Sequence, residues 1–189
     1  MGPWVRIVSL IALALGLTAC GSPPVARATP SSQTVVQSLL ARPLPAPMSV
    51  GSSCDPAHGR QASSFSPFGS TLAIGGGPVY ALVGYSSTSA TMSLGKNKVL
   101  WFAAPGYQGP IAIRTVAIPG MGLVEFYGTR SLVLTSADAL GANGAAYPPA
   151  SKAWRAWPTS GDLASSGCYG FQVDTTLGSE FLTILAVNG

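Results

Sequence analysis

Six carboxylates, one histidine, three cysteines and four tryptophans are the side chains of this sequence from which catalysis or recognition could be built. The histidine, His58, follows Cys54 in Cys54-Asp55-Pro56-Ala57-His58-Gly59. A Ser–His–acid or Cys–His site needs it beside a free nucleophile. No G-x-S-x-G elbow occurs, so His58 reads as a surface loop residue. Ser93-Leu94-Gly95-Lys96 matches S-x-x-K, yet the companion motifs of penicillin-binding enzymes are missing. Gly75-Gly76-Gly77-Pro78 lacks the Gly-Lys-Ser/Thr that cradles phosphate and reads as a turn entering a strand. Glycoside hydrolysis needs two carboxylates facing each other across a cleft. Among Asp55, Glu125, Asp138, Asp162, Asp174 and Glu180, the pair flanking the terminal hairpin, Asp174 and Glu180, are candidate neighbours for sharing a cation. The plainer reading is that they are solvated hairpin ends. No catalytic residue is assigned, and no cofactor or metal is expected.

The aromatics are more informative. Trp154 and Trp157 lie three apart, so on a strand they point to opposite faces. One is then core, and an exposed partner could stack on a sugar or anchor a protein. Trp154 and Trp157 are the candidate binding residues.

These side chains must be positioned somewhere, and the N-terminus says where. MGPWVR carries one positive charge and is followed by thirteen apolar or small residues, Ile7–Ala19, and then Cys20. That is the layout of a secretory signal. A helix of that length rises about 20 Å, short of a hydrocarbon core of about 30 Å. Leu17-Thr18-Ala19-Cys20 resembles the lipobox of bacterial lipoproteins. The resemblance implies a diacylglyceryl group on Cys20, with acyl chains such as palmitate, and cleavage just before it. Two or more acyl chains give stable anchoring, each buried methylene contributing about 0.8 kcal/mol. The expected location is a cell membrane, with the lipid-anchored domain facing outside the cytoplasm. Losing Arg6 with residues 1–19 lowers the formal charge of +4 by one. No Lys/Arg cluster makes a nucleic-acid footprint.

Residues 20–50 hold the lipidated cysteine and a Pro/Ser/Ala-rich tether, whose prolines favour extended backbone. Val35, Val36, Leu39 and Leu40 fall on a helical period, which predicts one short helix between Pro30 and Pro43. The alternative is an extended strip lying against the domain, and either way the segment spaces the domain from a membrane.

Residues 51–189 suffice for one domain. Charged residues are only 8% of the chain, and short runs of Val, Ile, Thr and aromatics recur between turn residues. Strands are predicted at 78–84, 98–104, 111–118, 123–127, 131–135, 152–157, 168–174 and 180–187, with a turn at Pro119-Gly120. Loops are expected at 141–149 and 158–166. The fold class is all-β, an antiparallel sandwich of the immunoglobulin-like kind with seven to nine short strands. Cys54 and Cys168 remain after lipidation, and outside the cytoplasm an isolated pair is most simply a disulfide. A zinc or copper site cannot be assembled from His and Cys with one histidine.

Arg42-Pro43-Leu44, Cys54, Gly77-Pro78-Val79-Tyr80, Lys98-Val99-Leu100-Trp101, Gly109-Pro110, Trp154, Trp157-Pro158, Gly167-Cys168-Tyr169 and Gln172-Val173-Asp174 occur in that order. Together they resemble a group of uncharacterised secreted or lipid-anchored bacterial proteins. Ala156 departs from that pattern, where an acidic residue is usual. The resemblance implies one extracytoplasmic β domain with a cysteine pair and brings no activity. The expected function is a membrane-anchored, non-enzymatic binding or structural module at the envelope. Its partner would be a glycan, a wall polymer or a protein, and not nucleic acid. The alternative is an envelope-acting hydrolase using carboxylates.

Overall fold

The computed structural model describes residues 30–46, 54, 59–61, 72–83, 91–139 and 154–188. The predicted signal, Cys20, Asp55, His58 and the loop at 141–149 lie outside the described residues. The strands are β1 (Gly59–Gln61), β2 (Leu72–Ile74), β3 (Val79–Val83), β4 (Thr91–Ser93), β5 (Gly95–Ala103) and β6 (Ile111–Val116). They continue with β7 (Glu125–Phe126), β8 (Ser131–Leu134), β9 (Arg155–Leu163), β10 (Gly167–Thr175) and β11 (Gly178–Val187). Two sheets pack face to face, six strands in the order β1-β2-β3-β5-β9-β7 and five in the order β4-β11-β10-β6-β8.

The all-β sandwich is the predicted one. Its six-plus-five order differs from the four-plus-three of constant immunoglobulin domains. The eleven strands among the described residues exceed the seven to nine expected, because β1, β2 and β4 span only three residues each and carry no readable alternation. One pairing, β4 with β11, is parallel.

Strand parity builds the core. Odd residues of β3, β5 and β9 turn inward, among them Ala81, Trp101 and Trp157. They meet Ile111 and Ile113 of β6, Tyr169, Phe171 and Val173 of β10, and Leu182 and Ile184 of β11. Trp101 packs edge-on to Phe171 at 5.9 Å.

The loop expected at 158–166 is a strand for most of its length. β9 runs on through Pro158 to Leu163, paired with β5 over nine residues from Ala103↔Arg155 to Gly95↔Leu163. Pro158 interrupts nothing, since β7 joins the other side of β9 only at Gly161 and Asp162. A proline is tolerated where its missing N–H faces an open edge.

The predicted short helix is present as α1 (Ser32–Leu40), capped by the Ser31 hydroxyl, which accepts from the Thr34 N–H at 3.2 Å. It lies against β6 and β10 on the outer face of the five-stranded sheet, with Leu39 buried. Residues 32–43, grouped in sequence with the tether, are therefore docked on the sandwich. No helix among the described residues is long and apolar enough to cross a membrane.

Candidate functional site

Asp174 on β10 has a fully buried side chain and sits on the outer face of its sheet. Arg114, in the neighbouring β6, donates to its Oδ2 from Nη2 at 2.6 Å and from Nε at 3.2 Å. Gln172 Nε2 and Ser179 Oγ donate to Oδ1 at 2.9 and 2.5 Å, and Arg42 Nη1 stands 3.6 Å away. Burial alone would push this carboxyl up. The hydrogen bonds from Ser179, Gln172 and Arg114, with the Arg114 charge, outweigh that and hold it below its ordinary value. Arg114 also donates from Nη1 to the carbonyls of Leu40 and Arg42, and Gln172 donates to that of Pro43. The cluster is a latch that fastens residues 40–43.

Further along the same face of β10, Cys168 is bonded to Cys54, with Cα atoms 5.4 Å apart, and Ile118 and Leu185 pack on the pair. Residues 168, 172 and 174 share strand parity, so one face of one strand holds the preceding chain at two points.

The candidate cation pair, Asp174 and Glu180, is corrected by register. Asp174 lies opposite Ser179, while Glu180 lies opposite Val173, so the two carboxylates leave the sheet on opposite faces. Asp174 is occupied by arginines, and Glu180 accepts from the Gly76 N–H. The described residues contain no group of three or more His, Cys, Asp or Glu able to hold a metal.

Trp154 and Trp157 do take opposite faces. Trp157 is 2% exposed, donates from Nε1 to the Thr135 carbonyl at 2.8 Å, and lies 5.1 Å under the Arg155 guanidinium. Arg155 in turn bonds Ser136 Oγ and the carbonyls of Tyr107, Gln108 and Gly109, which places Trp157 in a structural corner. Trp154 is half-buried on the outer face of the six-stranded sheet, 5.7 Å from the Phe102 ring and 6.3 Å from Tyr80. Of the two indoles, only Trp154 retains surface for a partner.

That outer face changes character along its length. Phe102↔Ala156 and Leu100↔Pro158 give way to Lys98↔Ser160 and Lys96↔Asp162, and Asp162 then lies opposite Glu125 of β7. Lys96, Glu125, Tyr127, Gly128, Ser160, Gly161 and Asp162 line a cleft of about 360 Å³. Gly161 lets β7 approach. A Cβ there would stand 2.9 Å from Val124 Cγ1, so a side chain would push away the strand that carries Glu125. Tyr127 sits at the tip of a two-residue turn closed by Phe126 N–H to Thr129 O at 2.7 Å and Thr129 N–H to Phe126 O at 2.9 Å. Both tip residues have positive φ, 49° at Tyr127 and 79° at Gly128, as a type I′ turn requires. The Tyr127 side chain stands 70% exposed.

No family model matches this chain, and no curated protein does. One solved structure that overlays on it is a Bacillus anthracis protein provisionally described as a lipoprotein. The match has 13% identity and a TM-score of 0.32, and covers 62% of this chain and 79% of that one. At that level the likeness carries no argument about fold or function.

Sequence reasoning missed both the latch and the cleft. A signal for the latch was present, since Arg114 and Asp174 are lone charges inside apolar runs. The cleft was hidden by reading 158–166 as loop, which removed Ser160 and Asp162 from any strand face. Ser93 and Lys96 of the S-x-x-K match are exposed, on two successive strands at a corner, and Lys96 belongs to the cleft.

Proposed function

We propose that this chain is an exported lipoprotein, held at a membrane by lipid on Cys20, whose sandwich serves as a non-enzymatic binding module at the cell envelope. The observation that supports it best is the state of the thiols. Two of the three cysteines are joined to each other inside the domain, which leaves Cys20, at the end of a lipobox-like Leu17-Thr18-Ala19-Cys20, as the one available for acylation. A disulfide also suits an oxidising compartment outside the cytoplasm. Trp154 and the polar end of the six-stranded sheet supply surfaces for a partner. In the test, Cys20→Ser removes radiolabelled fatty acid from the protein and moves it out of the membrane fraction. Equal labelling of wild type and variant would overturn the reading.

A hydrolase is the second reading, and one observation favours it. Glu125 and Asp162 are directly opposed across β7 and β9 and line the same cleft, as two carboxylates of a glycosidase must. Against it, both are exposed, so neither has the apolar enclosure that makes one of a pair a proton donor. New reducing ends released from envelope oligosaccharides would decide for the hydrolase.

A further inference from the structure

We propose that the cleft lined by Lys96, Glu125, Tyr127, Ser160 and Asp162 binds the uncharged hexose or N-acetylhexosamine units of a glycan. This deepens the binding-module reading and rests on it. Among the described residues whose side chains are placed, five charged groups make no hydrogen bond or ion pair: Lys96, Lys98, Glu125, Arg130 and Asp162. Three of the five line this one cleft, and Lys98 stands on the next rung of the same face. Elsewhere among the described residues, Arg130 apart, charge is consumed by structure. Asp174 and Arg114 hold each other, Arg155 holds the loop from Tyr107 to Gly109, and Asp138 accepts from Thr135 at 2.6 Å.

The unused groups have the chemistry of polyol recognition. Each carboxylate oxygen can accept a sugar hydroxyl, a pair of neighbouring carboxylates can accept several, and lysine donates to a ring or acetamido oxygen. The Tyr127 ring, carried at the tip of a doubly hydrogen-bonded turn, offers an aromatic face to the C–H side of a pyranose, and a tyrosine has only two side-chain torsions to order. The cleft volume of about 360 Å³ falls within the range of small-ligand sites, about 300–1,000 Å³. Two carboxylates at its centre repel phosphate and carboxylate polymers, whereas a bare cation would leave Tyr127 and Lys96 without a role.

The test titrates the full chain, purified with its lipid in detergent, with the tetramers of N-acetylglucosamine and of glucose, followed by calorimetry. At least one tetramer binds. Tyr127→Ala weakens it about tenfold, as does the double variant Glu125→Gln with Asp162→Asn. All of these substitutions lie at exposed positions, so thermal midpoints stay near wild type and the loss is not unfolding. Leu177→Ala, on the exposed turn between β10 and β11 of the other sheet, leaves affinity unchanged. Failure of both tetramers to bind, preference for poly(glycerol phosphate), or loss through Trp154→Ala in place of the cleft variants would each overturn the assignment. Cleavage of the tetramers would overturn it in favour of the hydrolase. Fatty-acid labelling of the same preparation reports separately on the anchored-lipoprotein reading, so the two can fail independently.

Discussion

Asp174 shows how much one side chain can hold in place. Its carboxylate organises Arg114, Arg42, Gln172 and Ser179, and through Arg114 and Gln172 it positions the carbonyls of Leu40, Arg42 and Pro43. A carboxyl depressed in the folded state stabilises fully above its unfolded pKa of about 3.9 and loses that contribution as pH falls through its folded value. Thermal midpoints followed downward from about pH 4 therefore drop for wild type. They drop less for Asp174→Asn, which starts lower, and parallel curves would show that the latch does not report on pH. Arg114→Ala strips the buried carboxylate of its two-pronged partner and leaves Arg42 at 3.6 Å as its nearest cation, which costs about 3 kcal/mol in chemical denaturation. The two tryptophans separate in the same assay. Trp157→Ala costs about 3–5 kcal/mol because an indole fully enclosed in the core is removed. Trp154→Ala costs less, about 1–2 kcal/mol, because it is only half-buried.

At the scale of elements, the strap formed by α1 and residues 41–46 is tied to β10 by the latch and, further along the chain, by the disulfide. The disulfide closes a separation of 114 residues, and on the chain-entropy model such a crosslink contributes up to about 4.7 kcal/mol. Reduction, or Cys168→Ala, lowers the denaturation midpoint, and two thiols titrating in the native oxidised protein would refute the bond. Gly161→Ala tests the β7–β9 seam. The added methyl displaces Val124, so β7 loosens, and saccharide affinity falls more than global stability. Much of this was legible. The helix was readable from Val35, Val36, Leu39 and Leu40, and the interior strands from their apolar runs. The extension of β9 was not, because Pro158, Ser160 and Gly161 carry turn chemistry locally and are strand only through nine residues of pairing with β5. The latch needed two charges sixty residues apart to meet, which no local pattern announces.

For the molecule as a whole, the strap lies across the outer face of the five-stranded sheet, while the cleft opens on the outer face of the six-stranded one. In a chain moored through Cys20, the face that receives the mooring line is therefore turned from the face proposed to bind glycan. If a glycan is held there, tension between it and the membrane must pass through the thickness of the sandwich. It reaches the latch first, since residues 40–43 precede Cys54. The noncovalent latch yields before the covalent bond can. The chain between Arg42 and Cys54 has a contour of about 40 Å at roughly 3.3–3.6 Å per residue. Once the latch opens, that contour is the farthest Arg42 can stand from Cys54 before the disulfide arrests it. The strap would act as a short tether with a stop, and a membrane undulating by a few nanometres could move without dragging its cargo free.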